Sequence, residues 1–256
     1  MKITFLGTGT SQGVPVICCP CEICNSSDSK NKRLRASIMI EQDGKVLVID
    51  SGPDFRQQML RENVKRLDAL VFTHSHKDHT AGMDDIRAFN YFMQQPTEVY
   101  ATEFTQQVLR REFSYIFEER NYPGIPELNF HTINYSEKFF AAGIELQPIR
   151  VLHHRLPVLG FRIGDFTYIT DANMIPEEEK KKIYGTKILV LNALRREKHI
   201  SHFTLEEAVS VANDFKAEKT YFTHISHQMG LHDEVNKELP EGIELAYDGL
   251  KFVVGG

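Results

Sequence analysis

Short apolar runs recur along the chain, and several end abruptly in polar side chains of the kind that bind metals. Runs at residues 38–40, 46–49, 67–72 and 99–101 predict strands, because a brief apolar stretch closed by turn residues suits a strand buried on both faces. The opening residues 1–6 predict a first strand. Between the runs, helical spacing predicts helices over 54–62 behind Pro53, over 83–92 and over 103–111. A second half begins near Ile144, with strands at 145–151, 158–163 and 166–170, the second and third joined by a Gly164-Asp165 hairpin turn. Helices follow over 177–184, 204–215 and 233–239, with strands at 187–191, 220–223 and 250–254. Thr204 with Glu207 three residues later is a capping box, which fixes the start of its helix and leaves His202 in the loop upstream. No fixed-period repeat, low-complexity stretch or linker interrupts this pattern, so residues 1–256 are expected to form a single domain.

Composition narrows the class. With 256 residues, 41% apolar and 25% charged, the chain can bury a full core. It contains no run near the roughly 18 apolar residues of a membrane span. The first strand turns into Gly7-Thr8-Gly9-Thr10 too early for a secretory signal, which predicts a cytoplasmic protein. A formal charge of -5 argues against a broad nucleic-acid face and favours a small substrate. All four cysteines, Cys18, Cys19, Cys21 and Cys24, fall within one short segment at 18–24, which suits a metal knuckle in a reducing compartment better than a disulfide framework. The segment 91–130 is rich in aromatics, including Phe92, Phe113, Tyr115, Phe117 and Tyr122, and carries Pro123-Gly124-Ile125-Pro126. It reads either as ordinary packing with a loop or as a lid or homodimer contact.

The chemistry is concentrated where the strand 67–72 runs into Thr73-His74-Ser75-His76-Lys77-Asp78-His79. Three imidazoles and a carboxylate leave one strand end together. Alternating His74 and His76 can face one ion while Asp78 and His79 turn toward another. Asp50 ends the strand 46–49 in a similar way. Gly7, Gly9 and Gly13 fit neither a dinucleotide nor a Walker phosphate loop and read as turn glycines. Cys19, Cys21 and Cys24 form C-x-C-x-x-C, tight enough for three thiolates around one tetrahedral ion, and His227 can supply the fourth ligand. Cys18 has no assigned role.

The run H-x-H-x-D-H after a strand resembles the signature of the metallo-β-lactamase-fold hydrolases. That resemblance implies an α/β, four-layer αββα sandwich with a dinuclear site at one edge. It further implies a third ligand for the first ion ahead of Leu156-Pro157, where either His153 or His154 could serve and His153 fits the spacing better. Asp171, at the end of 166–170, is the implied bridging carboxylate, and His224, after 220–223, completes the second ion's set ahead of its competitor His232. Asp50 is implied to orient a ligand from behind. The cysteine knuckle with His227, and the segments 6–15 and 156–171, are similar to the phosphoribosyl cyclic phosphodiesterases (PhnP-like) of phosphonate degradation, which carry a structural zinc of Cys3His type.

The resemblance implies two divalent ions, manganese or zinc, held by His74, His76 and His153 on one side and by Asp78, His79 and His224 on the other, with Asp171 between. Such a pair acidifies a water and turns it into a nucleophile. His202 is the expected catalytic proton donor or phosphoryl-oxygen partner, with His199 second to it, and Arg195 and Arg196 could add charge for a phosphate. The expected activity is hydrolysis of a small cyclic phosphodiester. A glyoxalase-type thioester hydrolase or a transfer-RNA 3′-end nuclease is the alternative enzyme, and a non-catalytic metal-binding module the remaining one.

Overall fold

The computed structural model describes residues 1–118 and 124–255 of the chain. Strands β1 (Lys2–Gly7), β2 (Ser37–Gln42), β3 (Lys45–Ile49), β4 (Ala69–Val71), β5 (Thr97–Ala101) and β6 (Leu128–Thr132) follow one another across a first sheet. A second sheet holds β7 (Phe139–Ala141), β8 (Ile144–His153), β9 (Leu156–Ile163), β10 (Phe166–Tyr168), β11 (Ile188–Asn192), β12 (Lys219–Thr223) and β13 (Ile243–Leu245). The chain then returns to lay β14 (Lys251–Val253) beside β1 at the edge of the first sheet.

Successive residues of these strands face different layers, which is why they read as continuous apolar runs. Ile3 and Phe5 join Ile38, Leu47, Phe161 and Tyr168 in the core between the sheets, whereas Leu6 faces outward. The outer face of the first sheet is covered by α2 (Phe55–Arg61), α4 (Arg87–Met93) and α5 (Glu103–Glu112) through Phe55, Met59, Phe89 and Leu109. The second sheet packs Leu189 and Leu191 against α8 (Leu205–Phe215) and α9 (His232–Glu238), through Ala208, Ala212, Phe215 and Val235. The result is the expected αββα sandwich. Shorter helices α1 (Glu22–Asn25), α3 (Lys77–Thr80), α6 (Ser114–Phe117) and α7 (Glu177–Lys180) sit in the connections.

The two sheets repeat one plan. In each, three antiparallel pairings are followed by three parallel ones: β3 through β6 run parallel in the first and β10 through β13 in the second. Asp50 directly follows β3 and Asp171 comes three residues after β10, the corresponding strand. Both hold left-handed backbone conformations, with φ of 66° and 53°. Parallel strands collect their C-terminal ends along one rim, where side chains can converge.

Several local expectations hold. Thr204 accepts from the Glu207 N–H while Glu207 accepts from the Thr204 N–H, the full capping box of α8. The β9–β10 hairpin pairs Ile163 with Phe166 across Gly164-Asp165. Others are corrected. The helix expected over 83–92 is a 3-10 turn at Met83–Ile86 followed by α4. The helix expected over 177–184 stops as α7 at Lys180, where the backbone tightens into i→i−3 turns, Lys182 N–H to Glu179 O and Ile183 N–H to Lys180 O, and the Arg162 guanidinium takes the carbonyls of Lys182, Ile183, Tyr184 and Gly185 beyond it. In the aromatic segment, Phe113 is buried in the outer core and Arg110 packs on the touching rings of Phe117 and Phe130, whereas Tyr91, Phe92 and Phe104 are exposed. Tyr122 and Pro123 lie outside the described residues. Among the described residues, no helix is long and apolar enough to cross a membrane.

Candidate metal centres

Each predicted ligand leaves a strand end or the connection that follows it, and two of them, together with the supporting Asp50, occupy strained backbone. Asp50, Asp171 and His224 all have left-handed φ, the last at 58°. For residues with a Cβ such geometry persists only where the surroundings enforce it, and it clusters at functional sites. Here it turns the side chain off the strand axis and toward the common rim.

The histidines are held from behind. Asp50, fully buried, accepts from the Thr73 N–H and hydroxyl at 2.8 Å and stands 2.7 Å from His79 Nδ1. The Thr73 hydroxyl is thus spent on Asp50 and accepts from His74 Nδ1 at 3.0 Å. His153 Nδ1 donates to the Ser201 carbonyl at 2.9 Å. Each bond puts the ring proton on Nδ1 and leaves an Nε2 lone pair facing inward, the usual arrangement of a metal-ligating imidazole. Thr73 and Ser201 had no assigned role in the sequence. Ser201 acts through its main chain, which leaves no mark in residue type.

The inward atoms converge. Asp78, His79, Asp171 and His224 each offer a ligand atom within 4.8 Å of the others, and so, as a second group, do His153, Asp171 and His202. Asp171 belongs to both. His74 Nε2 and His76 Nδ1 meet at 3.0 Å, and both rings pack on His153, at 5.9 and 5.2 Å between centroids. His79 Nε2 lies 3.2 Å from Asp78 and 3.1 Å from Asp171, and His224 Nε2 lies 3.1 Å from Asp171. Even so, the angles leave both Nε2 atoms, and Nδ1 of His202, buried without a hydrogen bond. Lone pairs of imidazole and carboxylate directed at one point, with no donor between them, are what a bound cation requires. The residues fit two divalent ions.

Electrostatics agree. Burial alone would push the Asp171 and Asp78 carboxyls up, yet the His224 and His79 rings hold Asp171, and His79 and His224 hold Asp78, well below the usual carboxylate range. His79 is the converse: burial favours its neutral ring, but Asp171, Asp78 and Asp50 together raise it well above its ordinary 6.5. With metals stripped, a proton on His79 takes over part of the cations' work. The stability it contributes is then present below 6.5 and lost as pH rises through the raised value. Metal-free protein should therefore lose thermal stability toward alkaline pH, and reloading metal should flatten that decline in a melting series.

His153 rather than His154 joins the cluster; His154 is exposed and contributes its N–H to Asn173. His232, the competitor of His224, is instead buried against Arg33 and Asn236. His202 is buried at 4.5 Å from the His153 ring and stacked at 4.7 Å on His224, and its Nδ1 is 3.9 Å from Asp171. It is thus brought as close as a ligand. Arg195 and Arg196 are committed elsewhere, to Gln228 and Glu238 among others.

The loop that carries Asp78 and His79 is clamped against Ser51-Gly52. Ser51 N–H donates to the His79 carbonyl and Gly82 N–H to the Ser51 carbonyl, both at 2.8 Å. A Cβ on Gly52 would fall 2.0 Å from the Asp78 carbonyl oxygen, so only glycine permits this approach. Gly52→Ala should cost roughly 1–3 kcal/mol of stability and lower metal content at the paired site, measured by denaturant unfolding and elemental analysis.

The cysteines form a separate cluster. Cys19, Cys21, Cys24 and His227 place four ligand atoms within 4.8 Å of one another, with His227 Nδ1 at 3.3 Å from Cys19 Sγ and 3.4 Å from Cys21 Sγ. The Val16 and Cys24 N–H groups donate to the sulfurs of Cys24 and Cys21. His227 first, then the Cys24 N–H, lowers the Cys21 thiol to about 6, whereas burial pushes Cys24 up to about 11. Cys18 is exposed and outside the cluster. His227 follows His224 by three residues, so one loop serves both centres.

Comparison with known proteins agrees with this geometry. The β-lactamase superfamily domain matches residues 45–225. An octanoyltransferase of Porphyromonas gingivalis is 37% identical over 99% of this chain and 52% of its own length. A ribonuclease Z of Methanosarcina acetivorans is 26% identical over 64% of this chain and 48% of its own. The chain thus spans about half the length of these two curated relatives. Among solved structures, a diphosphatase of the PhnP family superimposes with a TM-score of 0.93 at 41% identity, covering 99% of this chain and 98% of that one. The chain therefore belongs to the β-lactamase superfamily and, within it, to the PhnP family.

Proposed function

We propose that the protein is a dinuclear metal-dependent phosphodiesterase that hydrolyses a small cyclic phosphodiester such as a ribosyl cyclic phosphate. The observation that carries this reading is the convergence of lone pairs on either side of Asp171, at a rim that also presents buried His202. His74, His76 and His153 would hold one ion, Asp78, His79 and His224 the other, and Asp171 both. When bound, manganese or zinc ions there supply an acidified water and positive charge for phosphoryl oxygens. Cys19, Cys21, Cys24 and His227 would hold a structural zinc.

The protein's own groups do the rest. Asp50, Thr73 and Ser201 keep three imidazoles in one tautomer and orientation. Burial, and then His224, lower His202 to about 2, so it enters the reaction as a neutral ring. Its N–H then serves a phosphoryl oxygen or the leaving alkoxide as hydrogen-bond donor, and an anionic substrate stacked beside it would raise its proton affinity.

The PhnP-family diphosphatase supports phosphoryl chemistry, and the charge of -5 favours a small substrate over RNA. The ribonuclease Z likeness supports a nuclease as second reading. We further place the protein in the cytoplasm, where clustered thiols stay reduced, as a single domain and as a homodimer, for which exposed Tyr91 and Phe92 are the supporting feature. The deciding assay offers metal-loaded protein a ribosyl cyclic phosphate, a bis-aryl phosphodiester, a thioester and precursor transfer RNA. Turnover led by the cyclic diester is expected. Cleavage of the RNA or the thioester alone would overturn the reading, as would inertness toward every phosphodiester.

A further inference from the structure

The loop 195–202 carries a second imidazole beside His202. His199 packs at 5.2 Å between ring centroids from His202, but unlike His202 it is partly exposed. Its Nδ1 accepts from the Ser201 N–H at 3.3 Å and lies 3.2 Å from the Ser201 hydroxyl. A backbone N–H can only donate, so Nδ1 bears the lone pair and the ring proton sits on Nε2. That Nε2–H has no hydrogen-bond partner among the described residues, and it belongs to a ring already packed against the candidate proton donor.

The loop is built to hold this ring still. Arg195 curls it by donating to the carbonyls of Glu197 and Lys198 and is anchored by Gln228. Ser201, which fixes His199 through its N–H, fixes His153 through its carbonyl. One residue therefore sets both the candidate ligand and the neighbouring donor. The nearby guanidinium of Arg196 is taken by the Met229 carbonyl and Glu238, so it does not compete for an anion.

We propose that His199 is a substrate-binding residue whose Nε2–H donates to a non-bridging phosphoryl oxygen, a role separate from that of His202. The assignment rests on the phosphodiesterase reading for its substrate. It explains why a partly exposed histidine is tied by Ser201 into one tautomer and orientation at the rim, since a donor fixed before binding loses little freedom when an anion arrives.

Inorganic phosphate, titrated calorimetrically into metal-loaded protein, tests this independently of turnover. His199→Ala should weaken phosphate binding about tenfold, the scale of one hydrogen bond to a charged group. It should raise KM for a bis-aryl phosphodiester by a similar factor, with kcat within about threefold of wild type and metal content unchanged. His199→Gln, which keeps an N–H donor, should recover most of the loss. Unchanged phosphate affinity in a fully metallated His199→Ala protein would overturn the assignment. So would loss of metal from both variants, or a fall in kcat alone. If wild-type protein cleaves no diester yet binds phosphate with this dependence on His199, the phosphodiesterase reading fails and the anion site stands.

Discussion

Replacing Asp171 with alanine should abolish turnover and strip both ions from the paired site while leaving the thiolate site loaded. Among the described residues, Asp171 is shared by the cluster of Asp78, His79 and His224 and the cluster of His153 and His202. Its Oδ2 faces His79 and its Oδ1 faces His224, each at 3.1 Å, and the Thr170 hydroxyl donates to Oδ2 at 2.7 Å. Without it neither set keeps its anionic member between the imidazoles. Losing a metal pair forfeits several kcal/mol of transition-state stabilisation, so turnover should fall by about a thousandfold or more. Elemental analysis beside the kinetics checks the assignment. Two ions lost per chain with one zinc retained is the expected count. Normal metal content with normal turnover would remove Asp171 from the centre.

Cys21→Ala should act on stability before it acts on catalysis. Cys21 is both a candidate zinc ligand and the N-cap of α1, accepting from the Cys24 N–H at 3.4 Å. A structural metal contributes folding energy directly, but this knuckle sits on a fold with its own three-part core, so the loss should be local. About 3 kcal/mol, equivalent to roughly 6–12 °C in Tm for a chain of this size, is the expected scale. Turnover should stay within about tenfold of wild type, because the loop that carries His224 is also held by main-chain bonds. Ile225 N–H donates to Thr8 O at 2.8 Å and Thr10 N–H to Ile225 O at 3.1 Å. The pH dependence of the wild-type knuckle follows from the same thiol. In the metal-free knuckle His227 and the Cys24 N–H lower the Cys21 thiol to about 6, so cobalt uptake, followed by thiolate absorption, should proceed readily at neutral pH and weaken as the solution is acidified below that value. A Cys21→Ala protein that keeps its zinc and its Tm but loses turnover would contradict a structural role.

Legibility differed by element for physical reasons. Strands buried on both faces, such as β3 and β11, stand out as apolar runs because their last three and four residues, respectively, are buried whichever face they point to. β6, at a sheet edge with three of its five residues exposed, carries no such run and is not marked by the apolar pattern. α7 is shorter than its local helix signal, because past Lys180 the backbone tightens into i→i−3 turns whose carbonyls are met by Arg162, a residue distant in sequence. The candidate ligands were legible because His, Asp and Cys at strand ends are chemically conspicuous. The choice between His153 and His154 depends on which side chain meets Asp171 and the Ser201 carbonyl, and no residue-type pattern records that.

The sequence by itself determined where many of the strands lie and which donor atoms are available: apolar runs demand burial on both faces, and a strand must end where its apolar residues end. It placed His74, His76, Asp78 and His79 together because they are neighbours along the chain. Only the tertiary structure decided that Asp171 and His224, from the other sheet, close the same centre, and that Asp50, Thr73 and Ser201 fix the tautomers. Apart from the Thr73–His74 bond, those contacts join residues 23 or more positions apart, and they exist because two sheets of like topology pack face to face with the ends of their parallel strands at one rim.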